Sequence, residues 1–562
     1  MTTDTRTGAD LFLDALQAYG VPYLFGNPGT TELPIMHSLE SHELDYVLGL
    51  QEDIAMGMAA GYASARRYRS HHDPTVTPLG VVNLHVAPGL AHGLGNVYGA
   101  DFAGAPVLVT AGNHPTDVQH QEPILSGDLE EMADQFCKWS VEVKRVGALP
   151  GMVRRAARTA LTPPTGPVFL GLPFDVMTAE TAADPEPLGS IPTAGRGDPA
   201  EIERAADFLV DVEAPTMVVG DHIARAGADA VEAAVAFAEA TGARVFGEFL
   251  SAEIDFPTGH PQWAGGLPGS PDGIRDRLES DTIVFVGCSS LSVDRYHEKQ
   301  LFPPELTRIH INNAAREIGK NLPAEVAIFG DPGQVLDELT ETLTDRLAAE
   351  TRDRRREQAR AAVERFRGTP SNDDTDTVDP RASKDRLGEA IANAAGDALL
   401  VDESLTSRRA MQAQMRFAPE QYLANKGAGL GYGLPAAIGA ALAERERDDP
   451  RDVVAYIGDG SYLYYPHAIY SAARYGVDLT VVIPDNRNYR ILKENTKRFF
   501  GGTDADHEFT GMDFDPTVDF VKNAESHGAT AAVIDDPDGI EDAIADAITT
   551  DGPVVLDVPI HD

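Results

Sequence analysis

Three doubly wound parallel-sheet domains of the α/β class are the architecture this sequence predicts, on three observations. At 562 residues the chain is too long for one hydrophobic core. Short β-rich apolar runs alternate with helix-length patterns along its length, as parallel strands covered by helices require. Two stretches break that alternation: 181–200, rich in Pro, Gly, Ala and Asp, and 368–381, polar and acidic. The expected domains are 1–180, 200–345 and 382–562.

In the first domain the strand-like runs are 21–25, 46–50, 80–84, 106–110 and 168–172. In the second they are 216–219, 244–246, 283–286 and 308–311. In the third they are 398–401, 453–457, 479–483, 531–534 and 554–558. The stretch 345–367 has a charged helical pattern and is expected to be solvated. Folds of this class host many chemistries, so architecture leaves function open.

Composition excludes several classes of function. Apolar residues make up 43%, ample for packed cores. No apolar run approaches bilayer length, and Met1-Thr2-Thr3-Asp4 opens no signal-peptide core, so a cytoplasmic location is expected. The two cysteines, Cys137 and Cys288, cannot build a disulfide framework or a zinc site by themselves. The net charge of −42 and a pI near 4.6 disfavour nucleic-acid binding, which needs a basic surface. Only nine lysines stand against 37 arginines. The acidic residues are dispersed rather than blocked into a tail, and salt screens their repulsion, so the composition reads as halophilic.

The most informative local feature is a pair of strand ends. Gly458-Asp459-Gly460 closes one apolar run and Asp485-Asn486-Arg487-Asn488 closes the next, about two dozen residues on, with a helix-length stretch at 466–475 between them. A strand–helix–strand unit of this size puts both carboxyl ends on one sheet edge, where open α/β sheets bind ligands. A carboxylate and an amide oxygen there are hard ligands suited, with phosphate oxygens, to Mg²⁺ or Ca²⁺. Two ordinary strand-end turns would use the same residue types.

Other motifs sort in the same way. Glu52 follows the run 46–50 and opens an Ala- and Gly-rich helical stretch. Acidic residues are common at helix starts for electrostatic reasons alone. The cluster Gly427-Ala428-Gly429-Leu430-Gly431-Tyr432-Gly433 fails the G-x-G-x-x-G frame, because Tyr432 occupies the last glycine's place. Gly458-Asp459-Gly460-Ser461 is not a nucleophile elbow.

Taken together, collinear motifs carry a family resemblance. Gly26-Asn27-Pro28-Gly29-Thr30-Thr31-Glu32-Leu33-Pro34, Gln51-Glu52, Asn83-Leu84-His85 and Lys138-Trp139-Ser140 stand in the first domain. Phe256-Pro257-Thr258-Gly259-His260-Pro261, Gly429-Leu430-Gly431 and the Asp459/Asn486 pair follow. In this order the chain resembles the thiamine diphosphate-dependent 2-oxo acid decarboxylases, benzoylformate decarboxylase and its relatives, and is also similar to acetolactate synthase large subunits. The three domains would then be pyrimidine-binding, middle and diphosphate-binding.

The resemblance implies roles position by position. Glu52 would activate the cofactor's pyrimidine ring, Leu430 would prop the cofactor into its V shape, and the backbone at Ala428 and Leu430 would hold the pyrimidine. Asp459, Asn486 and the main-chain carbonyl of Asn488 would hold Mg²⁺, with Ca²⁺ a possible substitute. Gly460, Ser461, Thr406 and Tyr489 would contact the diphosphate, and Asn27 is a further cofactor contact. His85 and His260 would be the active-site histidines, imidazole being a side chain that can both give and take protons during decarboxylation. Thr30 would touch the substrate carboxylate. A homodimer or homotetramer with the site between chains is implied. FAD is not favoured, since no motif of the middle domain argues for it.

The chain also departs from the pattern. Ala424 and Asn495 stand where the family's aromatic pocket has phenylalanines, which points to a smaller or more polar 2-oxo acid. Arg490 replaces a glycine and either binds a second carboxylate, touches the diphosphate or is solvated. Asp485 replaces an asparagine. The leading expectation is non-oxidative decarboxylation of a 2-oxo acid to an aldehyde and CO₂. The alternative is a carboligase resembling acetolactate synthase, and a non-catalytic cofactor-binding subunit ranks third. His85 favours the first and Glu52 disfavours the last.

Overall fold

The computed structural model describes residues 5–278, 280–289, 301–302, 305–367 and 379–561. The chain divides into two compact units, one formed by 1–191, 376–415 and 423–562, the other by 192–375 and 416–422. Among the described residues there are three six-stranded α/β sheets, two in the first unit and one in the second.

The first sheet runs in the order Asp45–Leu48, Tyr23–Gly26, Gly80–His85, Val107–Asn113, Val168–Pro173, Ser140–Glu142, all parallel. Its central strands are buried on both faces, which explains their unbroken apolar character. The order reverses beside Tyr23–Gly26 and Gly80–His85, so the turn after the first, carrying Thr30, and His85 at the end of the second lie at the switch point. Glu52 starts the helix Glu52–His72, whose first turn also holds Asp53, and the Gln51 side chain caps it by accepting from Asp53 N–H.

The third sheet runs Tyr422–Ala424, Leu399–Glu403, Val453–Ile457, Leu479–Asp485, Pro553–Pro559, Thr530–Val533. Leu399–Glu403, Val453–Ile457 and Leu479–Asp485 are adjacent and parallel, so the turns bearing Thr406, Asp459 and Asn486 leave the same edge. The stretch expected to be helical at 466–475 holds the helix Ala468–Arg474. Within this unit helix Glu52–His72 packs against helix Gly433–Glu444. A Cβ on Gly61 would lie 2.0 Å from Ala436 O, and one on Gly439 would lie 1.9 Å from Met58 O. Small residues on both helices are therefore what allow the backbones to meet.

The second unit holds a parallel sheet in the order Trp263–Gly266, Arg244–Gly247, Thr216–Val219, Thr282–Val286, Thr307–Asn312, Val326–Phe329. The helix Ala349–Arg367 corrects one expectation, because it is not merely solvated. Arg355, Ala359, Ala362 and Val363 are buried. The Arg355 guanidinium donates to the carbonyls of Leu209, Val210 and Val212. A long basic side chain can cover apolar surface while satisfying carbonyls that a helix end leaves open.

The stretch 182–198 has no regular structure and leads into helix Pro199–Val210. The other proposed linker, 368–381, falls outside the described residues up to 378. No helix among the described residues is long and apolar enough to cross a membrane.

Candidate active site

The loop after strand Tyr23–Gly26 is organised by a residue that sequence reasoning quoted but gave no role. Glu32 is fully buried. Its Oε1 accepts from Thr31 Oγ1 at 2.7 Å and Gly112 N–H at 3.0 Å. Its Oε2 accepts from Gly29 N–H at 3.0 Å and meets His85 Nδ1 at 2.8 Å. The Nδ1 proton of His85 therefore points at a carboxylate, which fixes the ring and leaves Nε2 for other work. The His85 ring lies so close to Gly29 that a Cβ there would come within 2.1 Å of Nδ1. Thr30 is exposed on the same short turn, and Asn27 precedes it, half-buried. One buried carboxylate thus orders both the Thr30 turn and the His85 ring.

Glu52 is buried and meets His92 on the next helix, Nδ1 to Oε2 at 3.3 Å. Oε1 lies over Gly89, where a Cβ would approach it to 3.0 Å and the Cβ of His85 to 3.1 Å. Glycine at 89 thus keeps open the ground between Glu52 and His85. Asp53 has structural partners instead: it accepts from Asn96 N–H at 2.8 Å and from the Tyr465 hydroxyl. Burial raises its pKa, with the Tyr465 and Asn96 hydrogen bonds opposing.

On the third sheet, Asp402 and Glu403 end strand Leu399–Glu403. Asp402 builds the turn that carries the half-buried Thr406, accepting from Ser404 N–H at 2.8 Å, Ser404 Oγ at 2.7 Å and Arg408 Nε at 2.6 Å. Glu403 is the second residue that sequence reasoning missed. Its buried carboxylate accepts from Gly431 N–H at 3.0 Å, Gly433 N–H at 2.8 Å and Asn425 Nδ2 at 2.8 Å. It clamps the loop bearing Ala428 and Leu430. Ala428 adopts a left-handed φ of 55°, a strained choice for alanine, and is exposed with Gly429, while Leu430 is half-buried. Gly431 has φ 96°, and a Cβ there would lie 2.6 Å from the Tyr465 ring. Burial pushes the Glu403 carboxyl up to about 7, outweighing the amide donors that favour its charged form.

Asp459, Gly460, Ser461, Asp485, Asn486 and Asn488 are all buried around the two strand ends. Asp459 accepts from Gly460 N–H at 2.8 Å and Arg487 N–H at 2.7 Å, and Arg487 N–H also reaches Asp485 at 2.9 Å. Asn486 Oδ1 accepts from Asn488 N–H at 3.2 Å, and the Asn488 carbonyl accepts from Arg490 N–H at 2.9 Å. Burial, followed by the neighbouring Asp485, raises the Asp459 pKa. A buried pair of carboxylates beside an amide oxygen is the kind of donor set a hard cation relieves, so these residues fit Mg²⁺. Among the described residues there is no group of three or more His, Cys, Asp or Glu that could hold a metal ion. A cation here would draw on amide, main-chain and cofactor oxygens as well. A Cβ on Gly460 would strike the Tyr489 ring at 2.6 Å, so glycine there keeps the turn open under the tyrosine. This cradle fits a diphosphate, which binds where backbone N–H groups can approach it.

Two departures acquire positions. The Arg490 guanidinium pairs with Glu494 at 3.4 Å and Asp504 at 3.0 Å. Its charge is taken up on its own helix and the loop beyond, which argues against the second-carboxylate role. Ala424 is buried on the edge strand and Asn495 half-buried on helix Arg490–Phe500. His260 lies in the second unit, its Nε2 3.4 Å from Glu239 and its Nδ1 accepting from Gln262 N–H at 3.2 Å, with its ring edge-on to Phe256.

Comparison with known proteins matches each of the three domains. Residues 6–136 match the N-terminal TPP binding domain of thiamine pyrophosphate enzymes, 202–339 their central domain and 406–558 their C-terminal TPP binding domain. The chain is 29% identical over 553 residues to a benzoylformate decarboxylase of Pseudomonas aeruginosa, with 97% of each chain covered. It is 27% identical to a probable acetolactate synthase large subunit of Methanocaldococcus jannaschii, over 98% of this chain and 92% of that one. The solved thiamine diphosphate-dependent 4-hydroxybenzoylformate decarboxylase of Rhodococcus jostii superposes with a TM-score of 0.84 at 26% identity, covering 99% of both. With all three domains matched in order, the chain belongs to the thiamine pyrophosphate enzyme family.

Proposed function

We propose that the protein is a thiamine diphosphate- and Mg²⁺-dependent carboxy-lyase that converts a 2-oxo acid to an aldehyde and CO₂. The observation that carries this reading is His85, its ring locked through Nδ1 by the buried Glu32 at the mouth of the first sheet. Thiamine diphosphate, when bound, supplies the nucleophilic carbon and the electron sink for loss of CO₂. The chain's residues supply the rest. Glu52 holds a proton at the pyrimidine, and Leu430 and the backbone at Ala428 position that ring. Asp459, Asn486 and the Asn488 carbonyl hold Mg²⁺, while Thr406, Gly460, Ser461 and Tyr489 hold the diphosphate and Asn27 adds a contact. The Thr30 hydroxyl binds the substrate carboxylate. Decarboxylation to an aldehyde needs one proton delivered to carbon in place of CO₂ and one lent to the carbonyl oxygen and taken back as the aldehyde leaves, and His85 and His260 would carry them.

Ala424 and Asn495 in place of aromatic walls favour a small or polar 2-oxo acid over benzoylformate. The protein works as a dimer or tetramer with the cofactor between chains, in a salty cytoplasm suited to its acidic surface. The second reading, a carboligase, draws on the likeness to acetolactate synthase large subunits. It would join the decarboxylated fragment to a second carbonyl compound. A panel of 2-oxo acids, assayed in high salt with thiamine diphosphate and Mg²⁺, separates the two by scoring free aldehyde against ligation product.

A further inference from the structure

Asp485, the carboxylate that replaces an asparagine beside the proposed Mg²⁺ ligands, closes strand Leu479–Asp485 and is buried. Its Oδ1 accepts from Arg487 N–H at 2.9 Å, and Asp459 Oδ2 accepts from the same N–H at 2.7 Å. Two carboxylates on one N–H stand side by side in a dry site, and their charges repel. Arg487 has a left-handed φ of 62°, so the shared bond also holds the turn that presents Asn486 and the Asn488 carbonyl. Asp557, on the strand paired with Leu479–Asp485, is a third buried carboxylate facing Asp485. Among the described residues its Oδ1 has no hydrogen-bond partner. The guanidinium that faces the group is that of Arg487, with Nε 3.5 Å from Asp485 Oδ2 and its side chain 56% exposed. Water screens a pair made by so exposed an arginine, so it offsets little of the buried charge. Negative charge is thus in excess where a cation would sit.

We propose that the charge of Asp485 lets this chain bind a divalent cation before thiamine diphosphate arrives. The idea rests on the reading that Asp459, Asn486 and the Asn488 carbonyl hold Mg²⁺. Mg²⁺ sites commonly draw on one or two carboxylates plus phosphate oxygens, with water completing the shell. With an amide at 485, one carboxylate and neutral oxygens would remain, and the cofactor's phosphates would have to supply the rest of the charge. With Asp485, two carboxylates are in place beforehand, and a cation beside them relieves their mutual repulsion. Asp485 need not touch the metal, because a charge one shell away still acts across dry protein. Asparagine at 485 could still accept from Arg487 N–H, so it keeps the turn and removes the charge alone.

The test uses the full chain freed of metal and cofactor, in high salt to suppress loose binding at the acidic surface. Mn²⁺ is the probe, its free fraction read by electron paramagnetic resonance with and without thiamine diphosphate. Wild type should bind one Mn²⁺ tightly per chain without cofactor. Asp485→Asn and, as a second neutral variant, Asp485→Ser should weaken that binding by roughly tenfold or more, and binding in the presence of cofactor much less. Asp551→Asn, an exposed acid ahead of strand Pro553–Pro559, should change neither. Absence of tight Mn²⁺ binding by cofactor-free wild type overturns the proposal. So does wild-type affinity in both neutral variants, or an equal loss with and without cofactor, which would make Asp485 a turn builder only. The companion variant Asp459→Ala separates the underlying reading. Mn²⁺ binding with cofactor that survives Asp459→Ala sinks the metal assignment itself, whereas binding lost in Asp459→Ala and unaltered in Asp485→Asn sinks the role of Asp485 alone.

Discussion

Glu32→Gln is the perturbation that most sharply tests how the site is held. The wild-type carboxylate is fully buried and gathers four partners: Gly29 N–H and Gly112 N–H, both at 3.0 Å, Thr31 Oγ1 at 2.7 Å and His85 Nδ1 at 2.8 Å. Glutamine keeps the volume but turns one acceptor oxygen into a donor. Whichever way the amide lies, one backbone N–H then faces another donor in a dry site, at a cost of about 1–3 kcal/mol. If the new NH₂ occupies the Oε2 position, it also meets His85 Nδ1, which must present its lone pair. The ring proton then moves to Nε2, the nitrogen needed for proton transfer. Loss of a correctly held acid–base group should lower kcat/KM by roughly 10²–10⁴-fold. Urea unfolding in high salt reads the stability change, steady-state decarboxylation reads the rate, and ¹⁵N shifts of His85 read the tautomer. Destabilisation in the stated range with wild-type kcat/KM and an unchanged tautomer would refute the claim that Glu32 sets the working state of His85.

Three further outcomes follow from the same geometry. Burial raises the Glu403 carboxyl from 4.5 to about 7 in the folded protein, so the folded state binds that proton more tightly than the unfolded one. The resulting stability, about 3 kcal/mol, is present below pH 4.5 and lost as pH rises to 7. Wild type should thus lose more stability than Glu403→Gln across that window in denaturant titrations, and parallel profiles would contradict it. Mixing inactive Glu52→Gln chains with inactive Asp459→Ala chains should recover activity if each site is built between two chains, and none if each chain builds its own. With a net charge of −42, dialysis from molar salt into dilute buffer should lower the melting temperature, and a constant value would count against the halophilic reading.

How much of this was legible in the sequence follows from which signals are local. The central strands were, because a strand buried on both faces writes an unbroken apolar run. Val453–Ile457 and Thr216–Val219 begin and end as the sequence indicates. Four strands of the three six-stranded sheets were not: Ser140–Glu142, Trp263–Gly266, Val326–Phe329 and Tyr422–Ala424. All four are short and lie at sheet edges, where one neighbour and partial exposure relax the pattern. The Asp459 and Asn486 turns were legible because their chemistry sits in a few adjacent residues. Glu32 and Glu403 were not, since each acquires meaning only from a partner distant in the chain: Glu32 from His85 and Glu403 from the Gly431 loop. The burial of Arg355 escaped notice for a similar reason: a helix dense in charge reads as solvated until the carbonyls awaiting its guanidinium are known.

The central claim is that this chain releases an aldehyde. The direct measurement is product analysis with small and polar 2-oxo acids in high salt with thiamine diphosphate and Mg²⁺, counting CO₂, free aldehyde and ligated product in one reaction. The account predicts aldehyde equal to CO₂ for at least one acid, abolished by Glu52→Gln. CO₂ balanced by a ligation product, with no free aldehyde from any acid, would contradict it.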